Sequence, residues 1–453
     1  MFDLLIKNGK VVTADAIFSA NVAIRQGKIA AIMDTTSACV AEKEIDAEGM
    51  YVFPGAIDTH AHLNDPGYTW REDYAHGTAA AAVGGYTTVI DMPMQNKPAL
   101  TDGKIFDKKL AHVAGNAYVD YCFWGGLVDY NLSELKSLDQ KGCVGFKSFI
   151  GPVSPDYVTL NIGQAREALM ILREFGGRAG FHCEDYSIIK YEEQRAAGKK
   201  ENTWQDFLDS RPVEAELIAT QNIITLAQAL QAKVHICHVS HPQVAEVIRR
   251  AQAEGVDVTA ETCGHYLTFT EADVLEKGSL FKCAPPLRSQ ADVDALWEYV
   301  VDGTLSCVGS DHSPCEQSEK SEEQHGIFGA WGGLSSIQST VQTVFSEGVS
   351  KRGYSPTLLA KAFSEGPAKA FGIYGKKGAI QIGFDADLIL VDPEADWEIT
   401  AESLQYVNKI SAFVGLKGKG LRVCTIVRGT VVAQDGRIVG EKGYGNFVEK
   451  VNK

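Results

Sequence analysis

Between residues 53 and 372 the chain alternates short apolar runs with amphipathic stretches, and this rhythm limits the fold more than any other feature. Eight of the runs read as buried strands, centred on Ala56-Ile57, Thr88-Val89-Ile90, Asp120-Tyr121-Cys122-Phe123, Val144-Gly145-Phe146, Gly180-Phe181, Val234-His235-Ile236, Val256-Asp257-Val258-Thr259 and Leu305-Ser306-Cys307-Val308. Stretches over 77–83, 132–138, 163–175, 213–230 and 242–253 read as helices between them. Repeated strand–helix units predict an α/β fold, a parallel (β/α)8 TIM barrel with insertions. A doubly wound open sheet is the competitor, but no G-x-G-x-x-G follows the first strand.

The chain ends read differently. Leu4 to Val12 places Asn8-Gly9 between two apolar runs, a hairpin signal, and Val22 to Ala30 repeats the theme. Asp387 to Val391 reads as a strand and Val423 to Val432 as another hairpin. One small β-rich domain built from residues 1–52 and 373–453 is therefore expected beside a barrel domain at 53–372. The net charge of −15 argues against nucleic acid or an anionic membrane as partner. No apolar stretch approaches the roughly 20 residues of a membrane span, and Met1-Phe2-Asp3 opens without a signal-peptide pattern. Ten cysteines without a C-x-x-C pair fit a reducing cytoplasm. Cys183 and Cys237 each adjoin a histidine; on a strand they are expected to face away from it and pack.

Barrel enzymes carry their reactive groups at the C-terminal ends of the strands. The first run ends in Asp58-Thr59-His60-Ala61-His62. Side chains alternate along a strand, so His60 and His62 point the same way with Ala61 opposite. Lys147 ends the fourth run, His182 the fifth, His238 the sixth and Asp311 the eighth. Each has a bland reading when taken singly: a strand-end histidine is more often a satisfied core group, and a lone lysine a solvated charge. Agreement at five strand ends favours one shared metal site.

The lysine is the odd member. An ammonium beside divalent cations is repelled, which favours the neutral amine. A neutral amine can take up carbon dioxide as a carbamate, an anionic two-oxygen ligand able to bridge two metals. The expected arrangement puts His60, His62 and Asp311 on one ion and His182 and His238 on the other. The carbamate of Lys147 spans both, and ions roughly 3.5–4 Å apart share one hydroxide. Zinc suits imidazole and carboxylate; the ligand types leave cobalt, manganese and iron open.

With these residues in place, the chain resembles the cyclic amidohydrolases, the family of hydantoinases, dihydropyrimidinases, dihydroorotases and allantoinases. The resemblance rests on Pro54-Gly55-Ala56-Ile57-Asp58-Thr59-His60-Ala61-His62 and on the lysine, two-histidine and aspartate motifs above, and it spans essentially the whole chain. It implies two divalent ions, N6-carboxylysine at Lys147, a β-sandwich split between the chain ends, a homotetramer, and hydrolysis of a cyclic amide in a small molecule. Asp311 is the expected catalytic residue, taking the hydroxide proton and passing it to the leaving ring nitrogen.

Within the family the similarity is greatest to the branch that opens allantoin to allantoate. It lies in Trp70-Arg71-Glu72-Asp73-Tyr74, Lys282-Cys283-Ala284-Pro285-Pro286-Leu287-Arg288, Ser310-Asp311-His312-Ser313-Pro314-Cys315 and Ala330-Trp331-Gly332-Gly333-Leu334. Asn64 stands where dihydroorotases carry an arginine that grips a carboxylate. Hydantoinases have a tyrosine in the loop after the lysine; here none comes before Tyr157. Asn64, Ser313, Cys283, Ala284 and Gly332 are candidate substrate contacts, with packing as the alternative for the last four. His312 should face away from the ions and support a ligand. Met92-Pro93-Met94-Gln95-Asn96 departs from the branch's Met-Pro-Leu-Asn. The polar, helix-poor stretch from Glu316 to His325 reads as a solvated loop or a lid. Two alternatives stand beside the allantoin reading: a hydantoinase or dihydropyrimidinase acting on other cyclic ureides, and a metal-free assembly protein on the same scaffold.

Overall fold

The computed structural model describes residues 1–153 and 157–451. Five strands open the chain: β1 (Phe2–Val12), β2 (Ile17–Arg25), β3 (Lys28–Met33), β4 (Ala41–Asp46) and β5 (Tyr51–Pro54). Eight more alternate with helices: β6 (Ala56–Ala61), β7 (Tyr86–Asp91), β8 (Asp120–Gly126), β9 (Gly145–Phe149), β10 (Arg178–His182), β11 (Lys233–Ile236), β12 (Val258–Cys263) and β13 (Cys307–Gly309). Four close the chain: β14 (Leu388–Glu398), β15 (Lys417–Val427), β16 (Thr430–Gln434) and β17 (Arg437–Ile438).

Strands β6 to β13 pair in sequence order, each parallel to the next, as the expected barrel requires. Covered on both faces, β6 and β7 are buried at every residue, their polar side chains included. Closure comes just beyond β13, where His312 bridges Ala61 and the His62 N–H donates to the His312 carbonyl at 2.8 Å. Asp58 pins the same seam by accepting from the Ser310 N–H at 2.9 Å and its hydroxyl at 2.5 Å. Trp124 fills the interior, with its indole N–H on the Thr59 carbonyl at 2.9 Å and Phe371 edge-on at 4.9 Å. A Cβ at Gly145 or Gly180 would stand 2.5 or 2.7 Å from that ring, so both positions need glycine. The longer helices carry local stop signals. The helix Ile162–Phe175 starts at an Asn161/Gln164 capping box and ends at Gly176 with φ 71°. No helix among the described residues is long and apolar enough to cross a membrane.

The remaining nine strands form one sheet, ordered β17-β16-β15-β14-β5-β1-β2-β3 with β4 beside β1. Both chain ends thus share a β-rich layer, as expected. Leu4, Ile6, Val22 and Ile24 meet Leu388, Leu390 and Ile426 in its own apolar cluster. The Gln26-Gly27 and Arg428-Gly429 hairpins are present, with all four residues at positive φ.

The expected turn at Asn8-Gly9 is absent; β1 runs straight through as one strand of 11 residues. Asn8 takes φ 60° in a bulge that shifts the register against β2 between Ile6 and Gly9. The physical reason is a change of partner. Before the bulge β1 pairs in parallel with β4, and after it with β5. The bulged Asn8 N–H is satisfied by the Asn21 side-chain oxygen at 2.9 Å.

Buried charge joins the two parts. The Lys377 ammonium lies 2.5 Å from Asp120 on β8, 2.7 Å from Asp387 and 3.0 Å from Asp385. It fills the place a cation would take among these three carboxylates. The C-terminal segment then returns to the barrel, with the Val448 N–H on the Tyr121 carbonyl at 2.8 Å.

Candidate metal centre

Strand register delivers the site. His60, Lys147 and His182 lie on β6, β9 and β10; His62, His238 and Asp311 follow one or two residues past β6, β11 and β13. His60 Nε2 and His62 Nε2 stand 3.3 and 3.6 Å from Asp311 Oδ1. His182 Nδ1 faces His238 Nε2 at 3.0 Å. The His60 ring lies 5.2 Å from the His238 ring, so the two pairs adjoin. His238 and Asp311 hold φ of 38° and 45°, and the rim residues Asn64 and Gln95 hold 57° and 55°. Left-handed backbone is uncommon for such residues, and here it gathers just past barrel strand ends.

Carboxylates behind the imidazoles fix which nitrogen is free. His60 Nδ1 meets Glu261 Oε1 at 2.5 Å, leaving Nε2 for a ligand. Glu261 also receives the Thr59 hydroxyl and lies 3.4 Å from His235 Nε2. His182 Nε2 meets Glu184 at 2.7 Å, and Arg211 holds Glu184 from behind at 2.6 Å. Burial pushes the imidazoles toward the neutral form that binds metal. His60 falls to about 4, with Lys147 adding to burial and Asp311 and Glu261 opposing it. Burial lowers His182, and burial followed by the His182 charge takes His238 well below the usual range. Burial alone would raise Asp311, yet His60 and His62 hold it at about 2. Burial opposes Glu184 likewise, and Arg211 and His182 bring it to about 2. His60, His182 and His238 are thus biased toward neutral imidazoles and Asp311 and Glu184 toward charged carboxylates, a donor set suited to divalent ions.

Two observations test the fit to metal. With Nε2 of His182 turned to Glu184, its bare Nδ1 faces His238 at 3.0 Å, and that pair needs a shared proton or a shared cation. Lys147 Nζ is fully buried and meets no oxygen or nitrogen acceptor among the described residues, only the Phe149 ring at 5.1 Å and the Cys237 thiol. A bare buried ammonium is costly, whereas a carbamate there would carry ligand oxygens. Both fit. The end of β9 is rigidly held, since the Tyr157 hydroxyl donates to the Lys147 carbonyl at 2.8 Å and accepts from the Leu127 N–H at 3.0 Å.

A cleft of about 440 Å³ opens over these residues. Ser313, Ala284 and Gly332 line it, together with Gln95 and Trp331. Asn64 and Cys283 are buried without lining it; Asn64 donates to the His62 carbonyl at 3.2 Å. Gln95 reaches toward the Ser313 hydroxyl at 3.5 Å, while the neighbouring Asn96 is spent on the Met92 and Met94 carbonyls. His312 faces away, as expected: its Nδ1 accepts from the Ser336 N–H at 3.1 Å and its ring packs on Tyr406.

Two expectations need correction. Cys237 does not face away from the site; its sulfur lies within 4.8 Å of ligand atoms of His60 and Glu261. Strand alternation ends at Ile236 and the left-handed His238 turns the chain, so both residues point inward. The stretch from Glu316 to His325 is not helix-poor. It forms a 3-10 turn, Gln317–Lys320, and enters the helix Glu322–Gly329, capped by the Ser321 side chain. Glu261, Glu184 and Arg211 were not singled out from sequence. The first had a signal, a lone acid inside the apolar run Val258–Cys263. Glu261→Gln is expected to weaken metal retention by about 10–100-fold in chelator competition, because His60 loses its anionic partner; unchanged retention would remove Glu261 from that role.

Comparison with known proteins agrees with this geometry. A model of the amidohydrolase family matches residues 51–432, a span that contains all six candidate ligand positions. The chain is 40% identical over 448 residues to an allantoinase of Rubrobacter xylanophilus, covering 99% of this chain and 97% of that protein. It is 37% identical over 437 residues to an allantoinase of Salmonella newport, covering 95% of each. Among solved structures it is similar to an L-hydantoinase (dihydropyrimidinase) from Arthrobacter aurescens, with a TM-score of 0.96, 34% identity, and 99% of this chain and 100% of that one covered. A dihydropyrimidinase from Brevibacillus agri gives a TM-score of 0.92 at 30% identity, with 99% of each covered. Candidate ligands at the strand ends, their carboxylate supports and the full-length similarity lead to one conclusion: the chain belongs to the amidohydrolase family.

Proposed function

We propose that the protein hydrolyses the five-membered cyclic amide of allantoin to allantoate. The observation that carries this reading is the convergence of His60, His62, His182, His238 and Asp311 at the floor of one cleft, with the fully buried Lys147 beside them. In our reading His60, His62 and Asp311 would hold one divalent ion and His182 and His238 a second, with Lys147, as its carbamate, an anionic ligand to them and zinc the first choice. When bound, such ions supply a hydroxide nucleophile at neutral pH and polarise the scissile carbonyl.

The side chains do the rest. Asp311 stays ionised, held near 2 by His60 and His62 against burial, so a carboxylate oxygen is ready to accept a proton. The same group then hands that proton to the ring nitrogen as it leaves. Ser313, Ala284 and Gly332 sit on the cleft wall where the ring would rest, and the Trp331 indole N–H bonds the Ser313 carbonyl at 3.1 Å to hold that corner. Arg211 and Glu184 keep the His182 ring oriented. The ten cysteines, none in a disulfide, support a reducing cytoplasm, and a homotetramer carries over from the family resemblance.

The rival is a hydantoinase or dihydropyrimidinase, favoured by the names of the structural neighbours. Against it, the Tyr157 hydroxyl is committed to the backbone of Lys147 and Leu127. Measured kcat/KM for allantoin, hydantoin, dihydrouracil and dihydroorotate separates the readings. Allantoin should lead by at least about 100-fold, because a site built for a polar arm rejects rings lacking it. A higher value for hydantoin or dihydrouracil would transfer the assignment to the rival.

A further inference from the structure

Lys282 and Lys320 take no part in the chemistry above, yet both are almost wholly buried, at 5% and 6% exposure. Neither meets a carboxylate in an ion pair among the described residues. Each instead spends its three N–H donors on backbone carbonyls. Lys282 Nζ donates to Ile327 at 2.9 Å, Phe328 at 2.7 Å and Ala330 at 2.7 Å. Lys320 Nζ donates to Ser279 at 2.8 Å, Trp331 at 3.0 Å and Gly333 at 2.8 Å. Five carbonyls of the segment 327–333 are thus tied to two ammonium groups.

That segment is a wall of the cleft. Phe328, Gly329, Ala330, Trp331 and Gly332 line it, with Lys282 also reaching the cleft while Lys320 lies behind. Between Gly329 and Leu334 the backbone is irregular, so many of its carbonyls have no ladder or helix partner. A lysine ammonium is the one side chain with three donors radiating from a single atom. Burying a charge without a counter-ion is unfavourable unless dipoles surround it, and burial does depress both groups, Lys282 to about 7 and Lys320 to about 8. An apolar residue of similar length would avoid that penalty if filling space were the only need. The outer side of the wall is fastened as well. Arg71 stacks on the Trp331 ring at 4.1 Å and pairs with Glu319, whose carbonyl accepts from the Trp331 N–H at 2.8 Å.

We propose that Lys282 and Lys320 are positioning residues that set the substrate-facing wall 327–333, making it a fixed template for the ring substituent rather than a lid that opens and shuts. The proposal rests on the allantoin reading for its kinetic arm only. Lys282→Met and Lys320→Met keep side-chain length and remove every donor. In each variant KM for allantoin should rise about tenfold or more while kcat stays within about threefold, the pattern of lost binding without lost chemistry. Bound metal per chain should match the parent. Hydrogen–deuterium exchange should quicken in 327–333 and remain slow in β6 and β13. If either Met variant fails to fold, Lys282→Gln and Lys320→Gln, which keep two donors, should show the same effects at smaller size. Unchanged KM, or exchange in 327–333 equal to the parent, would overturn the proposal. If the parent itself does not turn over allantoin, the function fails while the exchange arm still judges the wall.

Discussion

Lys147→Ala is expected to purify without its bridging ligand, to hold little metal, and to lose at least about three orders of magnitude in kcat/KM. The cause lies in the surroundings of Nζ. The group is completely buried beside His60, His182 and His238, and no carboxylate or carbonyl among the described residues meets it. A carbamate there, as we propose, would supply anionic oxygens where His182 and His238 offer only imidazoles. Alanine removes the ligand and leaves a small void, so short carboxylic acids such as acetate or propionate should restore part of the activity. Metal analysis with and without added acid checks both statements. A variant that retains full activity and full metal would dismiss the carbamate.

Asp311→Ala should behave in the opposite way with respect to metal. His60 and His62 remain for the ion they share with it, so most bound metal should stay. Turnover should nevertheless fall by about 10²–10⁴-fold in kcat, the range expected for losing a general acid–base. KM should move little, because the carboxylate is held by two imidazoles at the cleft floor and not by the wall that receives the ring. Parallel measurement of kcat, KM and bound metal distinguishes the two variants. A drop of less than about tenfold in kcat would mean that another group carries the proton.

The ligands were legible because each ends a run whose burial and period are plain in sequence. His60 and His62 share a face by strand alternation, and Lys147, His182, His238 and Asp311 all sit within two residues of a strand end. What could not be read was set by packing at a distance. Arg211 reaches Glu184 across 27 residues of intervening helix and loop, and no local pattern announces that contact. Asn8-Gly9 carries the same chemistry in a bulge as in a turn, and only the exchange of β4 for β5 as partner decides between them. Cys237 was assigned by an alternation that stops one residue earlier. Nothing local marks Lys282 and Lys320 as buried, because the carbonyls they hold have no sequence signature at all.

The seam between β13 and β6 has a consequence for biosynthesis. His60 and His62 leave the ribosome about 250 residues before Asp311, yet the same few ångströms that join Ala61 to His312 also bring these ligands together. A nascent chain lacking its eighth barrel strand therefore owns only a partial chelate. If these residues share an ion as we propose, its capture would come late and certify a finished ring, and metal starvation during growth should leave chains whose first and last staves part most readily.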